Sequence, residues 1–86
     1  MEARSLVAWN LRRLRVAKGV SQDDLAYSSG VERAYVGHLE RGTRNPTIAI
    51  LERLAAALHC EIAELFRIPA PGDLPPQAMK PGRRKK

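Results

Sequence analysis

Apolar residues recur at three- and four-residue spacing through most of the first 66 positions, and no stretch shows the strict alternation of a half-buried strand. Val7, Leu11 and Leu14, with Arg12, Arg13 and Arg15 between them, predict a first helix over about 5–18. Gly19 after Lys18 supplies the left-handed residue that commonly closes a helix. Ser21 opens a second helix, its hydroxyl placed to cap backbone N–H groups, and Asp24 stands where a capping-box acid belongs. That helix runs from Gln22 to about Ser28, with Leu25 and Ala26 inward. Ser29-Gly30-Val31 forms a turn, and a third helix spans about Arg33 to Arg41, stopped by Gly42. The segment Gly42-Thr43-Arg44-Asn45-Pro46 is a loop on composition alone. Thr47 caps a fourth helix whose Ile48, Leu51, Leu54, Ala55 and Leu58 fall on one stripe, leaving Ile50 off it and exposed. A short fifth helix, Glu61 to Phe66, brings Ile62, Leu65 and Phe66 to the core. There is no internal repeat, and the body is all-α.

Length narrows the field. Eighty-six residues make one domain at most. A hydrophobic fraction of 44% suffices for a core. A chain this small keeps much of its surface in water, which argues against a large enzyme with a deep cleft. The single cysteine, Cys60, cannot form an internal disulfide, so a stapled secreted scaffold is not expected. No apolar run approaches the ~20 residues of a membrane span, and Met1-Glu2-Ala3-Arg4-Ser5 lacks a signal-peptide core. The expected location is the cytoplasm.

The formal charge of +6 points to a polyanion or an acidic surface as partner. Its distribution is uneven. Residues 67–86 carry six basic side chains (Arg67, Lys80, Arg83, Arg84, Lys85, Lys86) against Asp73 alone. The same stretch holds Pro69, Pro71, Gly72, Pro75, Pro76, Pro81 and Gly82, which predicts a disordered basic arm. Within residues 1–66, the front as far as Arg44 has eight basic and five acidic groups, whereas 45–66 has Arg53 against Glu52, Glu61 and Glu64. The body therefore has a basic front and an acidic back. The expected division is a helical domain over 1–66 and a Pro/Gly-rich tail over 67–86.

Two short helices joined by a tight glycine-containing turn, inside a small basic domain, have the composition of a helix-turn-helix. The second helix of such a pair enters a major groove about 12 Å wide, while the first aims its N-terminal amides at the phosphates. Specific residues strengthen the case: Leu11-Arg12-Arg13-Leu14-Arg15, Gly19-Val20-Ser21-Gln22-Asp23-Asp24-Leu25-Ala26, Gly30-Val31, Leu39-Glu40-Arg41-Gly42 and Asn45-Pro46-Thr47. Over roughly residues 5–66 this run resembles the Cro/phage-repressor (XRE) helix-turn-helix family. The resemblance implies a five-helix lambda-repressor-like domain, binding to double-stranded DNA in the major groove, a symmetric dimer and transcriptional control.

By the same resemblance Gln22 matches a glutamine that bonds a phosphate and braces a recognition side chain, although a plain surface role is the alternative. Glu32, Arg33, Ala34 and His38 match the family's base-reading positions. Arg33 suits guanine, because its planar fork can bond O6 and N7 together; a phosphate contact or simple solvation is the alternative. Glu32 replaces the usual Ser or Thr at the third helix's N-cap; it either accepts from a cytosine amino group or holds Arg33 in place. Ala34 either meets a thymine methyl or merely favours helix, and His38 either contacts the groove or stays an exposed polar residue. Gly37 costs ~1 kcal/mol inside a helix, so close approach to DNA or to the second helix is expected there. Tyr35 reaches a phosphate or packs on Leu39. Thr43, Arg44 and Asn45 are expected along the phosphate backbone. Arg15 and Glu40 match an internal ion pair of the family, so Glu40 does not count against DNA binding. Arg12 and Arg13 are expected to face solvent, one of them near DNA.

No catalytic set appears, and the Walker and dinucleotide glycine patterns are missing. Two histidines and one cysteine at these spacings make no zinc site, so neither cofactor nor metal is expected. Cys60 reads as a small core residue, and His59 as a helix terminator where the family often has glycine. A competing function remains: a protein-interaction module, antitoxin-like or coactivator-like, docking through the acidic back. A membrane role for the tail is disfavoured by its small apolar area. The resemblance implies a homodimer; the fourth and fifth helices are its expected interface, and Ile50, off the core stripe, either joins it or stands as a lone surface isoleucine.

Overall fold

A computed structural model describes residues 1–73. Among them, α1 covers Ala3–Ala17, α2 Gln22–Ser29, α3 Arg33–Glu40 and α4 Ile48–Ala57, followed by a 3₁₀ helix at Ile62–Phe66. Local chemistry sets most of the ends. Ser21 Oγ accepts from the Asp24 N–H at 3.0 Å, and Thr47 Oγ1 accepts from the Ile50 N–H at 3.1 Å. Such caps stabilise a helix by ~1 kcal/mol each. Gly30, at φ +73°, closes α2 and donates its N–H to the Ala26 carbonyl. His59 follows the end of α4 at φ +55°, a left-handed conformation that only glycine adopts freely.

The elements pack in a ring around one core: α1 on α3, α3 on α2, α2 on α4, α4 on the 3₁₀ helix, and that helix back on α1. Leu11, Leu25, Val36, Leu39, Leu54, Leu58 and Leu65 are the innermost side chains. Helical spacing anticipated Leu11, Leu25, Leu54, Leu58 and Leu65, whereas Val36 and Leu39 of α3 were not part of that expectation.

Five sequence expectations need correction. The fifth helix is a 3₁₀ helix, not an α-helix. With three residues per turn, Ile62 and Leu65 stack on one inward face and Phe66 falls on the next, so Phe66 is 41% exposed rather than part of the core. Ile50 is half-buried against the core instead of exposed, because Ile50, Leu54 and Ala57 stand at i, i+4 and i+7. Ile48 is 71% exposed, since it is the first helical residue and burial on α4 begins one turn later at Leu51. Finally, Arg12 and Arg13 are half-buried rather than solvent-facing. Arg13 donates to the Asn10 side chain at 3.0 Å and to the Glu64 carbonyl and carboxylate at 3.2 and 3.3 Å.

Two polar side chains join distant parts of the chain. Asn10 is buried in α1, and its Nδ2 lies 3.1 Å from the Leu65 carbonyl and 2.8 Å from that of Arg67. Arg53 of α4 donates to the carbonyls of Ser29 and Gly30 at 3.1 and 2.6 Å, satisfying acceptors at the C-terminal end of α2. Beyond Phe66 the chain is extended at Arg67 and turns at Ala70–Asp73, where Asp73 accepts from the Ala70 N–H at 2.8 Å. The expected disordered arm lies, from residue 74 on, outside the described residues. No helix among the described residues is long and apolar enough to cross a membrane.

Candidate nucleic-acid interface

The α2–turn–α3 unit is fixed from both sides. Within the turn, the buried Ser29 hydroxyl accepts from the Val31 N–H at 3.2 Å, and Val31 plugs the core. From α1, Arg15 reaches under α3 and meets Glu40 with two bonds, Nε to Oε2 at 2.6 Å and Nη2 to Oε1 at 3.0 Å. Both side chains are almost fully buried, at 5% and 1% exposure. Arg15 also donates to the Val20 carbonyl at 3.0 Å, which ties the α1–α2 connection into the same cluster. Arg12 Nε stands 3.5 Å from Glu40 Oε1 and makes no hydrogen bond of its own. Gln22, the first residue of α2, donates its amide to Glu40 Oε1 at 3.0 Å. One carboxylate therefore joins α1, α2 and α3. Paired and hydrogen-bonded in this way, Glu40 projects little charge from the recognition surface.

With Glu40 withdrawn, the exposed part of α3 begins with Glu32, Arg33 and Ala34. Glu32 occupies the N-cap and makes no side-chain capping bond. Nor does it hold Arg33. Asp23 of α2 does, accepting from Arg33 Nε at 2.8 Å, because the Arg33 side chain extends over Gly37 toward the middle of α3, and the neighbouring Gln22 at the start of α2 bonds Glu40 at the end of α3. At 51% and 82% exposure this pair is worth little stability, on the order of 0–1 kcal/mol. Its geometric effect is larger: Nε is occupied by the protein, and the terminal nitrogens are left to the other side of the fork.

Gly37 is buried beneath side chains of its own helix. A Cβ built there would lie 3.2 Å from Arg33 Nη1 and 3.4 Å from Arg41 Nη1, so its nearest neighbours are two guanidinium groups and not α2. His38 is half-buried; its Nδ1 lies 3.0 Å from Arg41 Nη2, and its carbonyl accepts from the Thr43 hydroxyl at 3.0 Å. Tyr35 is half-buried against the core cluster. Thr43, Arg44 and Asn45 are exposed on the loop that follows α3. The structure thus gathers Glu32, Arg33, Ala34, His38 and Thr43 around α3, with Gln22 at the start of α2.

Asp23 and Arg41 were missed in the sequence. Spacing would have found Arg41, which stands at i+7 from Ala34 and i+3 from His38, on the same stripe of α3. No local pattern could have paired Asp23 with Arg33 across two helices. Cys60 is half-buried against the core, and burial pushes its thiol pKa up, with Lys18 opposing in part. Among the described residues no group of His, Cys, Asp and Glu is clustered so as to hold a metal ion.

Comparison with known proteins identifies the same helix-turn-helix unit. The family model described as helix-turn-helix matches residues 11–65. An uncharacterized HTH-type transcriptional regulator, y4dJ of Sinorhizobium fredii, is 45% identical over 65 residues, covering 76% of this chain and 84% of that protein. The control protein C.SmaI of Serratia marcescens is 38% identical over 66 residues, covering 77% and 79%. Among solved structures, the restriction-modification controller protein C.AhdI of Aeromonas hydrophila superposes with a TM-score of 0.71 at 48% identity, covering 73% of this chain and 96% of that one. The chain belongs to the XRE-type helix-turn-helix family of DNA-binding transcriptional regulators.

Proposed function

We propose that this protein is a sequence-specific repressor or controller that inserts α3 into the major groove of an operator with dyad symmetry. The observation that carries this is the withdrawal of Glu40 into the Arg15–Gln22 cluster, which leaves Arg33, Ala34, His38 and Arg41 on the outer side of α3. Arg33 reads a guanine through its terminal nitrogens, Ala34 packs on a thymine methyl, and His38 and Glu32 contact neighbouring bases. Gln22, Thr43, Arg44, Asn45 and Tyr35 position the domain on phosphates. Relatives named as transcriptional regulators and restriction-modification controllers support a regulatory role; none of those names favours a pure protein-interaction module. The protein acts in the cytoplasm, without a cofactor, a metal, a membrane or a small-molecule ligand.

Selection of bound sequences from random duplex DNA tests this directly. A recovered motif with dyad symmetry is expected, and Arg33→Ala should lose affinity mainly on that motif, by roughly 10–100-fold. Equal loss on random duplex would make Arg33 a phosphate contact. A flat response to salt without duplex selectivity would favour the protein-interaction alternative, since phosphate neutralisation gives a slope of about −0.9 per contact. A symmetric operator needs two copies of α3 held about 34 Å apart. The homodimer forms through α4 and the 3₁₀ helix, where Ile48 and Phe66 rather than Ile50 present apolar surface. Sedimentation that finds only monomer at high concentration, free and on the operator, would exclude it.

A further inference from the structure

Arg41 closes the last turn of α3 as its C-cap. Three observations set it apart. It lies on the stripe of Ala34 and His38, not on the buried side of the helix. Its side chain runs back toward the helix N-terminus, the usual direction for a helical arginine, and donates Nη2 to His38 Nδ1 at 3.0 Å. And its Nη1, like that of Arg33, lies within 3.4 Å of the place where a Cβ on residue 37 would be. Two guanidinium groups thus converge above a single glycine.

Like charges do not gather without a reason, and only one of the two has an acid beside it: Asp23 faces Arg33 Nε, while Arg41 has a histidine nitrogen. The bond to His38 has a chemical consequence. Arginine has no acceptor, so Nδ1 is the accepting nitrogen of this contact, and Thr43 Oγ1 lies 3.4 Å from the same atom. The middle of α3 therefore presents the guanidinium donors of Arg33 and Arg41 side by side, with the Asp23 carboxylate on the Nε side of Arg33. Its match in the major groove is a run of acceptors, and guanine presents two, O6 and N7, on one edge.

We propose that Arg41 is a further base-reading residue, that Gly37 is the gap through which it reaches the middle of the recognition helix, and that Arg33 and Arg41 together take the acceptor edges of two neighbouring guanines. This rests on the insertion of α3 into the major groove proposed above.

The test compares bound-sequence selections for the wild type, Arg41→Ala, Arg41→Lys and Gly37→Ala, with thermal melting of each. The wild type should prefer guanine at adjacent positions. Arg41→Ala should melt as the wild type, keep the preference that Arg33→Ala abolishes, and lose the neighbouring one, with affinity for the preferred site falling by roughly 10–100-fold. Arg41→Lys should not restore it, because an ammonium lacks the planar fork. In Gly37→Ala the new methyl meets the mobile ends of two arginines, so the domain should fold with unchanged or higher melting temperature while both preferences weaken. A uniform loss on all sequences with a smaller salt slope would make Arg41 a phosphate contact and overturn the proposal. So would full rescue by lysine, or an unchanged motif in Arg41→Ala. A wild type without any sequence preference would remove the reading beneath it as well.

Discussion

Glu40 shows how much one side chain settles in a small domain. Its carboxylate takes bonds from Arg15 of α1 and Gln22 of α2, with Arg12 alongside, so the orientation of α3 is fixed at atomic contact and not only by apolar packing. Arg15→Met keeps the aliphatic stem but removes the fork, leaving a buried acid with weaker partners. The expected loss is about 3–5 kcal/mol by denaturant titration. A loss below about 1 kcal/mol would mean that Gln22 and Arg12 suffice, as for an exposed pair. Asn10 has a similar place at the other end of α1: Asn10→Ala leaves the carbonyls of Leu65 and Arg67 without its amide, and a loss of about 1–3 kcal/mol is expected. Legibility differs among these residues. Arg15 and Glu40 could be paired in the sequence only through family resemblance. Asn10, Arg53 and Asp23 carried no signal at all, because each acts on atoms that are remote in sequence, and helical periodicity records only near neighbours.

At the scale of elements, the sequence was most informative where structure is local. The caps at Ser21 and Thr47, the glycine ends of α1 and α2 and the inward residues of α1 and α2 all follow from interactions within a turn or two. The errors lie in the first turn of α4, in the 3₁₀ segment and at Arg12 and Arg13 of α1. Periodicity cannot say where a helix stops meeting its neighbours, which decides Ile48, nor distinguish three residues per turn from 3.6 over five residues, which decides Phe66. His59 was anticipated as the terminator of α4, and its positive φ gives that role a measurable cost. His59→Gly removes the steric penalty of a left-handed side-chain residue and should stabilise the domain by about 1 kcal/mol. For a chain of this size that is a rise of roughly 4–8 °C in Tm. An unchanged or lower Tm would show that the backbone there carries no strain.

For the molecule as a whole, charge and shape divide the work. Residues 74–86 hold five basic side chains and no acidic one, so most of the formal +6 belongs to sequence outside the described residues. Truncation after Asp73 keeps the Asn10–Arg67 bond and removes those five cations. Affinity should then fall by a similar factor on operator and random duplex, with a shallower salt slope. A changed operator motif would instead give the arm a part in base reading. The shared carboxylate of Glu40 has a last consequence, for divergence between lineages. Because the lock that orients α3 uses Arg15, Gln22 and Glu40, the exposed Glu32, Arg33 and Ala34 carry little of the folding free energy, and exposed substitutions of that kind usually change stability by less than about 0.5 kcal/mol. Descendants of this protein can therefore exchange those letters, and with them the operators they answer to, while inheriting the same scaffold.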